Sequence, residues 1–183
     1  ASPNWLQVFG ADAEVCFHNW AVAKYIGQVA AAGKAAYSLP LYVNAAPGTH
    51  RCAVLGDFIK AGGGPADNIL PVWKAVAPAL DMISPDNYAR DAIGYQRVLD
   101  LYRRDDNALF IPETGGSPRF FLFALDHQTI GYSPFGLDFT RIRTIPDAAR
   151  PKEELLPPWA LTGTKEFVAP FAPTYHMIAP MAR

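Results

Sequence analysis

The sequence predicts an α/β fold built on a parallel β-sheet, and three observations carry that reading. Short apolar runs alternate with amphipathic helical segments along the chain, an order that implies parallel strands joined by right-handed crossovers. The strand-like runs show no period-two alternation, as in strands buried within a parallel sheet. Polar residues collect where those runs end, at Asn44, Asp86 with Tyr88, Glu113 and Ser133. In parallel sheets the carboxyl edge is where chemistry is placed.

The elements follow in order. After Gly10, Asp12 offers a cap to "AEVCFHNWAVAKYIGQVAAAG", in which Cys16, Trp20, Ala23, Ile26 and Ala30 recur at helical spacing, with Gly33 as its stop. The run "LPLYVNA", residues 39 to 45, is the first strand, with Asn44 at its end. Residues 46 to 65 hold seven glycines and prolines and read as a long loop. Asp67 then caps a helix on which Ile69, Trp73 and Val76 share a face, with Pro71 in the first turn. "DMISPDNY", residues 81 to 88, is the second strand. "DAIGYQRVLDLYRR" is helical and turns Ile93, Val98 and Leu101 or Tyr102 to the core.

The third strand spans 108 to 112 and delivers Glu113 at its end. Ser117 and Pro118 open the next helix as cap and first residue. "IGYSPFG", residues 130 to 136, is the fourth strand; 137 to 158 form a second long loop, and a last helix covers much of 165 to 182. The whole, 1 to 183, reads as a single domain without internal repeats.

With 183 residues, half of them hydrophobic, and a formal net charge of −1, the chain supports one sizeable core. It offers no electrostatic reason to bind nucleic acid or an anionic membrane. No apolar run approaches the roughly 18 residues of a membrane span. Cys16 and Cys52 stand far apart with no ligand spacing around them, and read as unpaired thiols. His18, His50, His127 and His176 are scattered and read as structural or solvent-facing, so no metal is expected. Trp20 and Trp73 lie on helix faces as core, whereas Trp5 and Trp159 fall in irregular segments. The compartment is left open, and a periplasmic or secreted location is compatible with the sequence.

Two motif classes fit poorly. "AGGGPADN" stands about 15 loop residues from the nearest strand and lacks the Lys-Ser/Thr of a P-loop. "GYSPFG" lacks the last glycine of a nucleophile elbow and puts Pro134 where its helix should begin. Glycoside hydrolysis asks instead for a pair of carboxyl groups, about 5 Å apart in retaining enzymes. Glu113 has the setting for one: a rigid strand, a stiffening Pro112, and a Gly115–Gly116 pair that turns the chain away from a sugar. Read without that chemistry, Glu113 is a surface or helix-start acid, Asp86 a cap for the next helix, and Asn44 a partner for loop backbone.

"VFG" (8–10), "AAAGK" (30–34), "LPLYVNA" (39–45), "SPDNY" (84–88), "NALFIPE" (107–113) and "GYSPFGLD" (131–138) occur in an order that resembles bacterial β-galactosidases of glycoside hydrolase family 35. The resemblance runs from about Val8 to Asp138, plus the final helix. It implies a partial (β/α)8 TIM barrel, approximately strands 5 to 8 with their helices, and a retaining mechanism on terminal β-linked galactose that needs no cofactor. Glu113 becomes the nucleophile ending strand 7, and Tyr88 the strand-6 tyrosine that points at it. Asn44 and Asp86 become contacts to sugar hydroxyls or to the groups that touch the sugar, and Phe135 a stacking wall. Two features depart from the family pattern: Asn87 stands where an apolar residue is expected, and loop 46 to 65 differs from the usual one.

No Asn-Glu pair ends a strand upstream of "LPLYVNA", and Glu14 falls within a helix. A complete barrel takes about 250 residues, so the chain, which opens on Ala1, reads as the second half of one. The acid/base glutamate and the N-terminal half of the barrel would then lie outside it. The expected partner is a galactoside or oligosaccharide. The alternatives are a non-catalytic fragment that binds sugar or a partner, and a clan-related glycosidase with another sugar preference.

Overall fold

The computed structural model describes residues 2–47, 64–66, 69–137 and 169–182. Expectations for Asp67, His50, Cys52, Trp159 and most of the two long loops lie outside the described residues.

Four strands, β1 (Tyr42–Ala45), β2 (Met82–Asn87), β3 (Ile111–Thr114) and β4 (Tyr132–Pro134), form a parallel sheet in the order β1-β2-β3-β4. Helices α1 (Trp5–Phe9) and α2 (Ala13–Ala36) precede the sheet. Helices α3 (Leu70–Val76), α4 (Ala92–Tyr102) and α5 (Arg119–Asp126) connect its strands, and α6 (Phe171–Ile178) follows. The expected α/β architecture is therefore observed, with every crossover returning the chain to the next strand along. Ala23 and Ala30 of α2, Trp73 of α3, Val98 and Leu99 of α4 and Phe120 of α5 join Ala45, Ile83 and Ile111 in one buried cluster.

Several helix boundaries differ from the sequence reading for local physical reasons. Trp5 is not in an irregular segment: Asn4 and Gln7 form a reciprocal capping box for α1, and the Trp5 ring packs on Phe17 and Trp20 of α2. Asp12 precedes α2 without a side-chain cap, and Gly33 does not stop it. The helix runs on to Ala36 and buries Asn19, Ala23, Gly27 and Ala30. Gly27 is required there, because a Cβ would come within 2.9 Å of the Ala77 Cα beyond α3. Asn19 lies on the same face and accepts from the indole Nε1 of Trp73 at 3.2 Å, which partners the polar atom of a ring 1% exposed.

Helix α4 turns Tyr95, Val98, Leu99 and Tyr102 inward, as expected for Val98 and Tyr102, and leaves Ile93 82% exposed, contrary to expectation. The Asp91 carboxylate accepts from Gly94 N at 2.8 Å and caps the first turn. Helix α5 starts at Arg119 after Pro118, with no cap from Ser117. His127 is structural, as expected, bonded to the Phe123 carbonyl at 2.8 Å and to Asp100 at 3.1 Å.

The amino end of the sheet is fixed by two side chains. Asp81 accepts from Lys34 Nζ at 2.7 Å and from Leu41 N at 2.7 Å, tying α2, β1 and β2 together. Asn107, 2% exposed, accepts from Ile83 N at 2.8 Å and donates to the Ile83 and Tyr102 carbonyls at 2.9 and 2.8 Å. Those backbone groups have no solvent to turn to if the amide is removed. Asn107→Leu should therefore cost about 2–4 kcal/mol of unfolding free energy, read from the urea midpoint at an unchanged slope. A loss below about 0.5 kcal/mol would show that this amide does not hold β2.

Candidate functional site

The carboxyl edge of β2 and β3 is joined by only two register pairs, Asp86 with Glu113 and Asn87 with Thr114. Behind the sheet, on the helix side, Thr114 Oγ1 donates to the Asn87 carbonyl at 2.7 Å and meets the Tyr95 hydroxyl at 3.1 Å. The Asn87 amide donates to the Tyr95 carbonyl at 3.1 Å, and its oxygen accepts from Ala89 N at 3.2 Å. Asn87 and Thr114 are buried at 0% and 1% exposure. This network clamps the strand ends to α4. Asn87, which departs from the expected apolar type, is thus a buried polar residue with each of its amide atoms bonded, and that departure was the signal in the sequence.

Strand alternation then sends Asp86, Glu113 and Tyr88 to the opposite face. A bulge in β3 makes this possible for Glu113. Between Ile111 and Thr114, β3 advances three residues while β4 advances two, from Tyr132 to Pro134. Ile111 and Thr114 can therefore both face the helices while Pro112 and Glu113 line the same cleft. The strand itself spans Ile111–Thr114, so Glu113 lies within it and not beyond an end at 112. Neither Gly115 nor Gly116 has positive φ, and a Cβ on Gly115 would make only ordinary contact with the Tyr88 ring, at 3.8 Å. The chain bends at Gly116, and Gly115 is not demanded there by backbone conformation or by a close contact.

On this open face the sequence-predicted residues form a row. Tyr88 Oη donates to Glu113 Oε1 at 2.7 Å. Asn44 Nδ2, from β1, donates to Asp86 Oδ1 at 2.8 Å. Asn44 thus bonds a side chain of the row, and Asp86 is no helix cap, since Asp91 fills that place. Phe135, just beyond β4, lines a cleft of about 450 Å³ with Glu113 and Ser133. Asn44 does not line that cleft.

Below the row, Tyr42 of β1 and Phe110 meet edge to face with centroids 4.8 Å apart, spanning β2 between them. Ser84 Oγ of β2 is buried and has no hydrogen-bond partner among the described residues. Gly131 makes room for this pair, since a Cβ there would lie 2.7 Å from Phe110 ring atoms.

The electrostatics of the row single out Asp86 and Tyr88. Burial, reinforced by the negative charge of Glu113 and opposed by the Asn44 bond, pushes Asp86 up to about 6. Burial, with the hydrogen bond to Glu113 and its charge adding, pushes the Tyr88 hydroxyl far above its ordinary value. Tyr88 therefore stays protonated and is a permanent donor to Glu113. The arrangement can hold one carboxylate oxygen in a fixed position and leave the other for a ligand. Among the described residues no three His, Cys, Asp or Glu side chains converge as metal ligands, and no helix is long and apolar enough to cross a membrane.

Comparison with family models and with characterised proteins finds no match to this sequence.

The Asp86 shift has a sign that can be checked. Its folded value, about 6, lies above the unfolded one, so between roughly pH 4 and 6 the folded state binds the extra proton and stability falls as pH rises. The half-exposed carboxyl keeps part of its hydration, so the loss should be about 1–2 kcal/mol and complete above pH 6–7. Asp86→Asn should flatten that slope in unfolding curves taken from pH 4 to 7, and Glu113→Gln should move the Asp86 carboxyl titration, followed by carbon NMR, to lower pH. An unmoved titration would mean that the two carboxyl groups do not sense each other.

Proposed function

We propose that this chain carries the nucleophile half of a retaining glycoside hydrolase that releases terminal β-linked galactose. The observation that carries the reading is the 2.7 Å bond from Tyr88 to Glu113 at the carboxyl edge of a parallel sheet. The strand order β1-β2-β3-β4 supports a barrel segment, because a doubly wound sheet reverses its order at a switch point. In this reading the four strands are staves 5 to 8 of a (β/α)8 barrel, and the open face is its interior.

Glu113 attacks the anomeric carbon with the oxygen not held by Tyr88, and the glycosidic oxygen leaves with a proton from an acid/base carboxyl supplied from outside these residues. Water then opens the glycosyl ester, giving its proton to that same group. Tyr88 fixes the rotamer of Glu113, and its hydrogen bond weakens as the carboxylate gives up its charge in forming the ester. Asp86 and Asn44 receive sugar hydroxyls, and Phe135 stacks on the apolar face of the ring.

A second reading, sugar binding without turnover, draws on a different observation. Asp86 and Glu113 stand side by side on adjacent strands, and retaining cleavage needs carboxyl groups flanking the scissile bond from both sides. For these residues in isolation, binding without hydrolysis is the expected behaviour.

Incubating the full-length protein with an activated 2-fluoro-β-galactoside should leave a covalent sugar on Glu113, located by peptide mass mapping; a label on any other residue overturns the assignment. Glu113→Ala should lower kcat/KM by about 10⁴-fold or more. Tyr88→Phe removes one bond to a charged group and should cost about 10–100-fold, expressed mainly in kcat.

A further inference from the structure

A second cleft, of about 440 Å³, adjoins the Glu113 site across the Tyr88 ring and is lined by Tyr88, Arg90, Thr114, Ser117, Arg119 and Phe120 among others. Arg90 and Arg119 line it without an ion-pair partner among the described residues. The adjacent Asp91 carboxylate is turned to Gly94 N at the start of α4, and the first turn of α5 contains no acidic residue.

Arg119 is also held in place. Its Nη2 donates to the Arg90 carbonyl at 2.6 Å, and the guanidinium lies 4.5 Å from the centre of the Phe120 ring. One donor of the fork is thereby spent on the fold, and the ring contact helps to hold the head group with donors to spare. A cation held in this way selects a flat or tetrahedral oxyanion more than a neutral hydroxyl.

We propose that this cleft receives an anionic group, a carboxylate or a sulfate ester, carried by the sugar unit next to the one whose anomeric carbon meets Glu113. The proposal rests on the glycosidase reading for the position of that neighbouring unit, but not for the anion preference itself. Tyr88 forms the partition: its hydroxyl serves Glu113 and its ring walls the arginine cleft. The substrate class is then an acidic galactoside, with neutral oligosaccharides bound less tightly.

The test is binding to the full-length protein in its Glu113→Gln form, which removes turnover. Probes are galactose, galacturonic acid, galactose 6-sulfate and inorganic sulfate, and the readouts are calorimetry and the chemical shifts of the arginine Nε and Gly115 amide groups. At low ionic strength the two acidic sugars should bind about tenfold or more tightly than galactose. The preference should shrink with added salt and fall at least about fivefold in both Arg90→Gln and Arg119→Gln. Comparing the carboxylate and sulfate sugars identifies which anion the fork accepts.

Equal affinity for neutral and acidic sugars overturns the proposal. So does a preference that survives Arg90→Gln/Arg119→Gln, or inorganic sulfate binding as tightly as the acidic sugars. Circular dichroism melts of each variant separate lost binding from lost folding, and Arg119→Lys, which keeps the charge, should retain part of the preference if folding is intact. Covalent labelling of Glu113 reports on the catalytic reading separately, so either conclusion can fail without the other.

Discussion

The site depends on the short pairing of β2 with β3 at their carboxyl ends. Only two register pairs join them there, too few to fix side chains by ladder hydrogen bonds alone. Thr114, Asn87 and Tyr95 complete the junction from behind, with bonds of 2.7 to 3.1 Å among buried groups. Each of these groups would carry an unmet desolvation cost if the strands slid, so the network resists displacement more strongly than its modest net stabilisation suggests. The residues on the other face inherit that rigidity. Tyr88 follows directly on Asn87, and Glu113 directly precedes Thr114, so the 2.7 Å contact between them is set one residue away from the clamp.

The same face shows how two carboxyl groups at paired positions take on different characters. Among the described residues Asp86, half-buried, receives only the Asn44 amide, and burial and the neighbouring charge raise it towards neutrality. Glu113 receives a phenol that cannot ionise in the working range. One group is suited to hold a proton near pH 6, and the other is held as a directed oxygen. Environment makes the distinction between two residues that are register partners on adjacent strands.

Much of the fold was legible because it depends on pattern. Alternating segments and unalternated apolar runs were enough to give the parallel sheet, and polar residues at strand ends gave Asn44, Asp86, Tyr88 and Glu113 as one row. Helix phase was less legible. Val98 and Tyr102 face the interior as the spacing predicted, but Ile93 lies on the solvent side and Tyr95 and Leu99 complete the buried face, because the inward stripe includes Tyr95 and Leu99 and not Ile93. The bulge in β3 was not legible, because one extra residue leaves no mark on composition. Asn87 stood out as a departure from an apolar type, but its role was not assignable, since the Tyr95 carbonyl and the Thr114 hydroxyl meet it only after α4 and β3 have docked.

The meeting of Tyr42 and Phe110 above β2 has a consequence for how this chain can change over generations. Strands two places apart would stand about 9–10 Å apart in a flat sheet, so rings in contact across them act as a strut, and the strut's seat is the missing side chain of Gly131. Positions 42, 110 and 131 are therefore sterically coupled. A larger residue at 131 displaces the phenyl ring and leaves the tyrosine without its abutment, so substitutions at these three positions have non-additive costs.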